Sequence, residues 1–336
     1  MNEALRRRKA RAAATAAGVD GLLLTHGADV RYLTGFTGSN GALAMAGGRA
    51  ALFTDGRYTT QARAEAAGLR VVISPKPAAV AAAEWLAERG IKRCGFDAAQ
   101  TTVAGLDRIR KALPGKLRRS FFAPTDGLVA RLREIKDADE IARIRRAAKA
   151  GCSLFDVALE HIAAGVTESE VAAQLELAAR RAGADGMSFE TIVASGKRSA
   201  LPHGRATAAK LPRRGFCTLD FGVLLDGYCS DMTRTVHLGK PTTREWDVYH
   251  LVLEAQVAAV AAVRPGATCG EVDEAARSVL RKAKLHTFFT HSTGHGVGLE
   301  IHEGPRLASK QVQVLEPGMV VTIEPGVYIP GEFGVR

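Results

Sequence analysis

The sequence has few cysteines, and no two of them have metal-ligand spacing. Its 336 residues include five cysteines, an odd number scattered singly along the chain. We therefore predict neither a disulfide framework nor a CxxC zinc site, and we expect reduced thiols in a cytoplasmic protein. No apolar run approaches the roughly 20 residues of a membrane span. The Arg- and Ala-rich N-terminus lacks the apolar segment of a secretory signal, so a folded first helix is expected there.

Several common catalytic signatures are also missing. There is no HExxH, because His302-Glu303 is not followed by a second histidine at the required spacing. There is no GxSxG nucleophile elbow and no GxGxxG, and the stretch "SGKRS" at 195–199 lacks the leading glycine of a phosphate-binding loop. These absences argue against a zincin, an α/β-hydrolase and a nucleotide-binding protein.

Charge is unevenly distributed along the chain. The net charge is +11, and residues 1–130 contain 20 Lys and Arg against 10 Asp and Glu. A basic half can indicate nucleic-acid binding. Here the basic residues are dispersed and no nucleic-acid-binding motif accompanies them, so we interpret them as solvated helix faces and expect no nucleic-acid partner.

Two styles of pattern divide the sequence. Residues 1–128 alternate short apolar runs with Ala-rich helical stretches, which predicts an α/β domain. Residues 129–336 begin with long amphipathic helices and continue with strand-rich segments, which predicts an α+β domain. In the second region, Thr167 and Glu170 have the spacing of a capping box at a helix start.

Two aspartates lie inside apolar strands of a predicted hairpin. Asp220 and Asp231 occupy "LDFGVLLDGYCSDMT", where a carboxylate is costly unless it is paired or bound to a metal. Asp226-Gly227 supplies a turn, and a turn centred just after Leu225 would bring both carboxylates face to face. Like charges directly opposite repel, and a cation between them removes that cost. The alternative is two structural aspartates that each cap a turn.

Further candidate ligands follow downstream. Glu324 ends a β-branched run in "VVTIEPG", and "HSTGHGVGLEIHEGP" contains His291, His295 and His302. Two aspartates, a glutamate and a histidine form a hard, oxygen-rich set that suits Mn²⁺, Fe²⁺, Co²⁺ or Zn²⁺. Bridging carboxylates would hold two metals about 3.5–4 Å apart. Taken alone, His203 in "ALPHG" is interpreted as a loop histidine.

These segments resemble a known family. The catalytic domain of the Xaa-Pro peptidases, which are pita-bread metallopeptidases, is similar to four segments of this chain: "ALPHG", "LDFGVLLDGYCSDMTRT", "HSTGHGVGLEIHEGP" and "VVTIEPGVY". The stretches "YLTGFTGSNGALAM" and "FTDGRYTTQA" resemble the creatinase-type domain that precedes it. The resemblance implies an α/β creatinase-like domain over 1–128, followed by an α+β pita-bread catalytic domain over 129–336 with a curved antiparallel sheet.

The resemblance also implies a metal-ligand set. Asp220 would bind one metal through both oxygens and Asp231 would bridge two metals, while His295 and Glu324 would each bind one. The implied cofactors are two divalent ions, first of all Mn²⁺, with Co²⁺, Zn²⁺ and Fe²⁺ as alternatives.

Catalytic and substrate-binding roles follow from the same resemblance. Glu324 matches the family's general base, and His203 matches the histidine that helps handle the leaving proline nitrogen. His291 and His302 match histidines that hold the substrate and the tetrahedral intermediate. Arg336 is expected to contact the substrate.

The family pattern ends in Gly-Val-Arg-Ile-Glu-Asp, whose glutamate bridges both metals. This chain ends at "GVR" with Arg336. We expect either that the sequence continues beyond this point or that a shorter form binds the second metal weakly.

The resemblance favours an Xaa-Pro aminopeptidase, which removes a first residue that precedes proline, with an Xaa-Pro dipeptidase (prolidase) as the alternative. A non-catalytic binding relative and a metal-free creatinase-like enzyme are further alternatives, and the intact ligand positions argue against both. Proline-containing peptides are the expected substrates, and a homodimer is the expected assembly.

Overall fold

The computed structural model describes residues 2–336. The chain folds into two compact units, Met1–Arg133 and Glu134–Arg336. The boundary predicted at residue 128 falls at the first residue of a helix, Leu128–Glu134, and stays a prediction of where the domains separate. Within the described residues, no helix combines the length and the apolar character that crossing a membrane requires.

The first unit is a six-stranded sheet with helices, as the alternating pattern predicts. The helices are α1 (Glu3–Ala16), α2 (Gly27–Thr34), α3 (Thr59–Glu65), α4 (Ala78–Ala87), α5 (Val103–Ala112) and α6 (Leu128–Glu134). The strands are β1 (Gly21–Leu24), β2 (Ala42–Ala46), β3 (Arg49–Thr54), β4 (Arg70–Ile73), β5 (Cys94–Asp97) and β6 (Phe122–Thr125). Their spatial order is β4-β3-β2-β1-β5-β6. The pairings of β2 with β1 and with β3 are antiparallel and the other pairings are parallel, so the predicted α/β class is confirmed.

The core of this unit lies between the sheet and α4. Leu86 is fully buried, and the ring of Trp85 meets the ring of Phe53 edge-on at 6.0 Å between centroids. Such aromatic pairs add stabilisation beyond the apolar area that they bury. The Ala-rich sequence of α4 allows the helix to lie close to the strands, because alanine adds almost no side-chain bulk.

The second unit combines four long helices with antiparallel strands. The helices are α7 (Ala138–His161), α8 (Glu168–Arg181), α9 (Thr243–Ala262) and α10 (Cys269–Lys282). The strands are β7 (Gly186–Met187), β8 (Ile192–Ser195), β9 (Gly215–Phe221), β10 (Val223–Leu225), β11 (Tyr228–Cys229), β12 (Met232–Leu238), β13 (Gly294–Gly296), β14 (Glu303–Leu307), β15 (Val327–Ile329) and β16 (Phe333–Val335). Their pairings are antiparallel, which confirms the predicted α+β class.

Capping boxes begin all four of these helices. The predicted pair Thr167 and Glu170 forms the box of α8, and equivalent boxes begin α7, α9 and α10. Each box satisfies backbone N–H groups that have no partner within the helix.

The register of the acidic hairpin also differs from the prediction. Asp226 and Gly227 both have positive φ and form the two-residue turn between β10 and β11. This places Asp220 opposite Thr233, and Asp231 lies two residues nearer the turn. The two carboxylates are therefore diagonal neighbours on one face of the sheet rather than directly opposed.

The run before Glu324 is not a regular strand, contrary to the prediction. Its backbone nevertheless bonds to the segment around β13: Thr322 N–H donates to the carbonyl of His295, and Glu324 N–H donates to the carbonyl of Thr293, both at 2.8 Å. The contact with β13 is limited to such bonds and one isolated bridge between Gly296 and Val321. The backbone bonds to Thr293 and His295 keep Glu324 beside His295.

Candidate metal centre

Three of the four predicted metal ligands converge. Asp231 precedes β12, His295 lies in β13 and Glu324 follows the irregular run. One ligand atom from each lies within 4.8 Å of the others. The Nε2 atom of His295 is 3.2 Å from Oε1 of Glu324 and 3.4 Å from Oδ2 of Asp231. This convergence supports the predicted ligand set.

Small residues allow the backbones to approach at this point. A Cβ atom built on Gly294 would collide with the carbonyl of Thr322. This is the chain crossing that places His295 against the segment carrying Glu324. The glycine-rich composition of the segment from 291 to 305 therefore has a steric reason here.

The chemistry of this cluster fits a cation. Burial by itself would lower the pKa of His295, but hydrogen bonds to Asp231 and Glu324 outweigh it and raise that pKa to about 10. Without a metal, a proton therefore supplies positive charge between the carboxylates. The Nδ1 atom of His295 lies 2.9 Å from the carbonyl of Gly296. An N–H at Nδ1 leaves Nε2 as the metal-binding nitrogen, as is usual for histidine ligands.

Asp220, the fourth predicted ligand, is engaged by an arginine. Arg336 donates from its Nη2 to Oδ2 of Asp220 at 2.6 Å, and the Thr233 hydroxyl donates to Oδ1 at 3.1 Å. Burial raises the pKa of Asp220 to about 7; Asp231 and Glu324 reinforce this rise, and Arg336 opposes it. Asp220 thus borders the cluster, and its role as a ligand stays a prediction.

The cluster opens onto a cavity of about 630 Å³. All eight residues predicted to form the site line it: His203, Asp220, Asp231, His291, His295, His302, Glu324 and Arg336. Phe189, Ile301 and Arg306 also contribute to its wall. A cavity of this size with apolar and charged walls suits a small peptide.

The histidines of the cavity differ in their surroundings. His291 has Nδ1 at 2.8 Å from the carbonyl of Ser292 and Nε2 at 2.8 Å from the hydroxyl of Tyr328. Its pKa is lowered, chiefly by burial, which favours the neutral ring. The ring of His302 lies 4.4 Å from the ring of His295, and burial lowers its pKa too. His302 therefore lies against the ligand cluster.

Tyr328 is a site residue that sequence reasoning missed. It is almost fully buried, contacts His291 and accepts a hydrogen bond from Nη1 of Arg336 at 3.1 Å. Arg336 therefore connects Asp220 to Tyr328, and Tyr328 connects to His291. A signal existed, because a tyrosine in a buried strand needs a partner for its hydroxyl. The predicted substrate contact of Arg336 stays a prediction.

Comparison with known proteins places this architecture among the metal-dependent peptidases. The model of metallopeptidase family M24 matches residues 142–336, and the model of the Creatinase/Prolidase N-terminal domain matches residues 6–135. The chain belongs to metallopeptidase family M24. The resemblance stated from the sequence and the pita-bread fold are confirmed.

Individual relatives cover nearly the whole chain. An uncharacterized peptidase of Bacillus subtilis, YqhT, is 40% identical over 95% of this chain and 89% of its own length. The solved Xaa-Pro dipeptidase from Bacillus anthracis has a TM-score of 0.95 and 41% identity, covering 100% of this chain and 93% of that one. The solved X-Pro aminopeptidase from Thermotoga maritima has a TM-score of 0.86 and 35% identity, and the match covers 97% of this chain and 93% of that one.

Proposed function

We propose that this protein is a divalent-metal-dependent Xaa-Pro dipeptidase, which hydrolyses the bond between a first residue and a C-terminal proline. The observation that carries the proposal is the convergence of Asp231, His295 and Glu324 at a cavity that His203 and His302 also line. The sequence by itself favours the aminopeptidase. The higher similarity to a solved protein named Xaa-Pro dipeptidase shifts the preference to the dipeptidase.

The metal centre would be held by this chain's carboxylates and one imidazole. Asp231, His295 and Glu324 would bind the metals, with Asp220 joining them from its position beside Arg336. We propose two ions, with Mn²⁺ as the first choice because the donors are mostly oxygen. Bound metals would polarise the scissile carbonyl and lower the pKa of the attacking water.

The remaining steps belong to side chains of the cavity. Glu324 would accept a proton from the water whose oxygen bonds to the carbonyl carbon. When the C–N bond breaks, the proline nitrogen must gain a proton, and His203 would deliver it. The products are a free amino acid and proline. His302 is the better placed donor to the developing oxyanion, because both nitrogens of His291 contact groups of the protein itself.

Arg306 gives a reason for preferring a dipeptide. It lines the cavity from β14, in register with His295. A dipeptide carries its free carboxylate next to the scissile bond, and an arginine fork binds a carboxylate through two parallel hydrogen bonds. Arg205, another cation of the cavity wall, already forms an ion pair with Glu190 at 2.8 Å. Arg306 is therefore the proposed anchor for the substrate carboxylate.

Xaa-Pro aminopeptidase is the second candidate, and the similarity to the Thermotoga maritima enzyme favours it. The deciding experiment compares Leu-Pro with Leu-Pro-Pro as substrates of the Mn²⁺-loaded protein. The dipeptidase proposal expects turnover of Leu-Pro and little cleavage of the tripeptide. Efficient release of leucine from the tripeptide, with Leu-Pro untouched, would establish the aminopeptidase instead.

We further propose a cytoplasmic location and a homodimeric assembly, as the family resemblance implies. The scattered cysteines, several of them buried, suit a reducing compartment. Sedimentation equilibrium of the purified protein tests the assembly: a single species at twice the chain mass is expected, and a monomer at all concentrations would contradict it.

A further inference from the structure

Helix α10 contains an ion pair in which the carboxylate is buried and the arginine side chain is 19% exposed. Asp273 is 1% exposed, and its Oδ2 accepts a hydrogen bond from Nε of Arg277 at 2.7 Å, one helical turn away. A buried ion pair of this kind is weak evidence for stability by itself, because desolvation offsets the attraction. Its position therefore calls for another explanation.

Both residues of the pair form hydrogen bonds to alternate residues of the segment 289–293. Arg277 donates to the carbonyl of Phe289 at 3.1 Å and to the carbonyl of His291 at 2.6 Å. Oδ1 of Asp273 accepts from the backbone N–H of Thr293 at 3.2 Å and from its hydroxyl at 2.8 Å. Positions 289, 291 and 293 are thus all fixed from the same helix.

The segment 289–293 contains one residue of the cavity wall, His291, and contacts Glu324. His291 follows Phe289 by two residues, and the two rings pack edge-on with their centroids 5.1 Å apart. The guanidinium of Arg277 lies over the ring of Phe289 at 4.2 Å. The carbonyl of Thr293 accepts the backbone N–H of Glu324 at 2.8 Å. The segment 289–293 therefore determines the position of the His291 ring and of the Glu324 backbone.

From these contacts we infer that Asp273 and Arg277 are positioning residues, which hold the His291 ring and the backbone of Glu324 in register with His295. Neither residue lines the cavity, so they act through the segment and not on the substrate. The kinetic part of this inference rests on the proposed function, whereas its spectroscopic part does not.

The test uses Arg277→Lys in the full-length protein, because lysine keeps the charge but loses the fork that spans two carbonyls and a carboxylate. We expect kcat for Leu-Pro to fall about tenfold or more, with KM changed less, at a temperature where circular dichroism shows a folded protein. Asp273→Asn is the second variant, since it removes the ion pair while retaining an acceptor for Thr293.

A double-mutant cycle with His291→Gln separates positioning from general stability. If Arg277 acts through His291, Arg277→Lys has a much smaller effect on kcat in the His291→Gln background than in the wild type. The matched control is Arg281→Lys on the same helix. Arg281 pairs with Glu274 at the surface at 2.6 Å, with both side chains about half exposed, and wild-type kinetics are expected.

Histidine ring ¹⁵N spectra provide the readout that does not need activity. The ring signals of His291, assigned with His291→Gln, should shift in Arg277→Lys and stay unchanged in Arg281→Lys. If the wild type is inactive, the proposed function fails, and the spectra still test whether Asp273 and Arg277 position the His291 ring. Unshifted His291 signals in Arg277→Lys and in Asp273→Asn would overturn the inference, as would additive kinetics in the cycle.

Discussion

The guanidinium of Arg336 and the carboxylate of Asp220 form an ion pair of 2.6 Å, with side chains only 4% and 11% exposed. The same arginine also contacts the hydroxyl of Tyr328, which contacts His291. A predicted metal ligand is thus linked through two side chains to a predicted substrate histidine.

Removing one partner of this buried pair should be costly. In Arg336→Met we expect the free energy of unfolding of the metal-free protein to fall by about 3–5 kcal/mol, because the carboxylate of Asp220 loses its partner. Urea denaturation measures the change. The double variant Asp220→Asn/Arg336→Met should recover much of the loss, and equal losses in the single and double variants would contradict this explanation.

The amount of bound metal should distinguish the proposed metal ligand His295 from the proposed substrate-binding residue His302. His295→Ala is expected to reduce bound Mn²⁺ well below the wild-type content, because it removes the only imidazole of the converging cluster among the described residues. His302→Ala should retain the metal and lose mainly kcat. Elemental analysis after dialysis, combined with steady-state kinetics, checks both variants. Normal metal content in His295→Ala would refute the ligand assignment.

Metal binding should release protons. At neutral pH the metal-free site holds a proton on His295, whose pKa is raised to about 10, and partly on Asp220, whose pKa is raised to about 7. Ligands must lose these protons to bind a metal, so affinity should increase from about pH 6 to about pH 8. Calorimetric Mn²⁺ titrations in buffers of different ionisation enthalpy measure the release. A heat independent of the buffer would show that no proton leaves.

Arg306 should determine the preference for a free carboxylate. We expect Arg306→Leu to raise KM for Leu-Pro by about tenfold or more, the value of a lost charge-assisted hydrogen bond. KM for the amide Leu-Pro-NH₂ should change little, because that substrate carries no carboxylate.

The matched control for this prediction is Arg205→Leu, since Arg205 lies on the same cavity wall but is paired with Glu190. We expect it to leave the ratio of the two KM values near that of the wild type. Equal effects of both variants on Leu-Pro would mean that the charge of the cavity as a whole, rather than Arg306, attracts the substrate.

The sequence drew attention to two of the converging residues because carboxylates within apolar, β-branched runs are anomalous. Asp231 and Glu324 stand out for this reason without any knowledge of the fold. The register of Asp220 could not be read as easily, because either Leu225-Asp226 or Asp226-Gly227 can form a turn. The choice depends on Asp226 adopting a left-handed backbone conformation.

The supporting contacts were beyond sequence reasoning for a different reason. Arg277 is connected to the site through the backbone carbonyls of Phe289 and His291. Because every residue type has a backbone carbonyl, the sequence does not indicate which one an arginine will contact. The run before Glu324 has the composition of a strand, but it meets β13 through single backbone bonds and one isolated bridge instead of a continuous ladder. Local composition therefore predicted a strand at this point, and tertiary pairing left the run irregular.

The most direct test of the account is the hydrolysis of Leu-Pro by the full-length protein, before and after removal of divalent metals. We predict steady turnover by the Mn²⁺-loaded protein, loss of activity after chelation, and recovery when Mn²⁺ is added back. Leu-Ala should be hydrolysed far more slowly. No turnover of Leu-Pro by protein that binds Mn²⁺ stably, or equal turnover before and after chelation, would contradict the account.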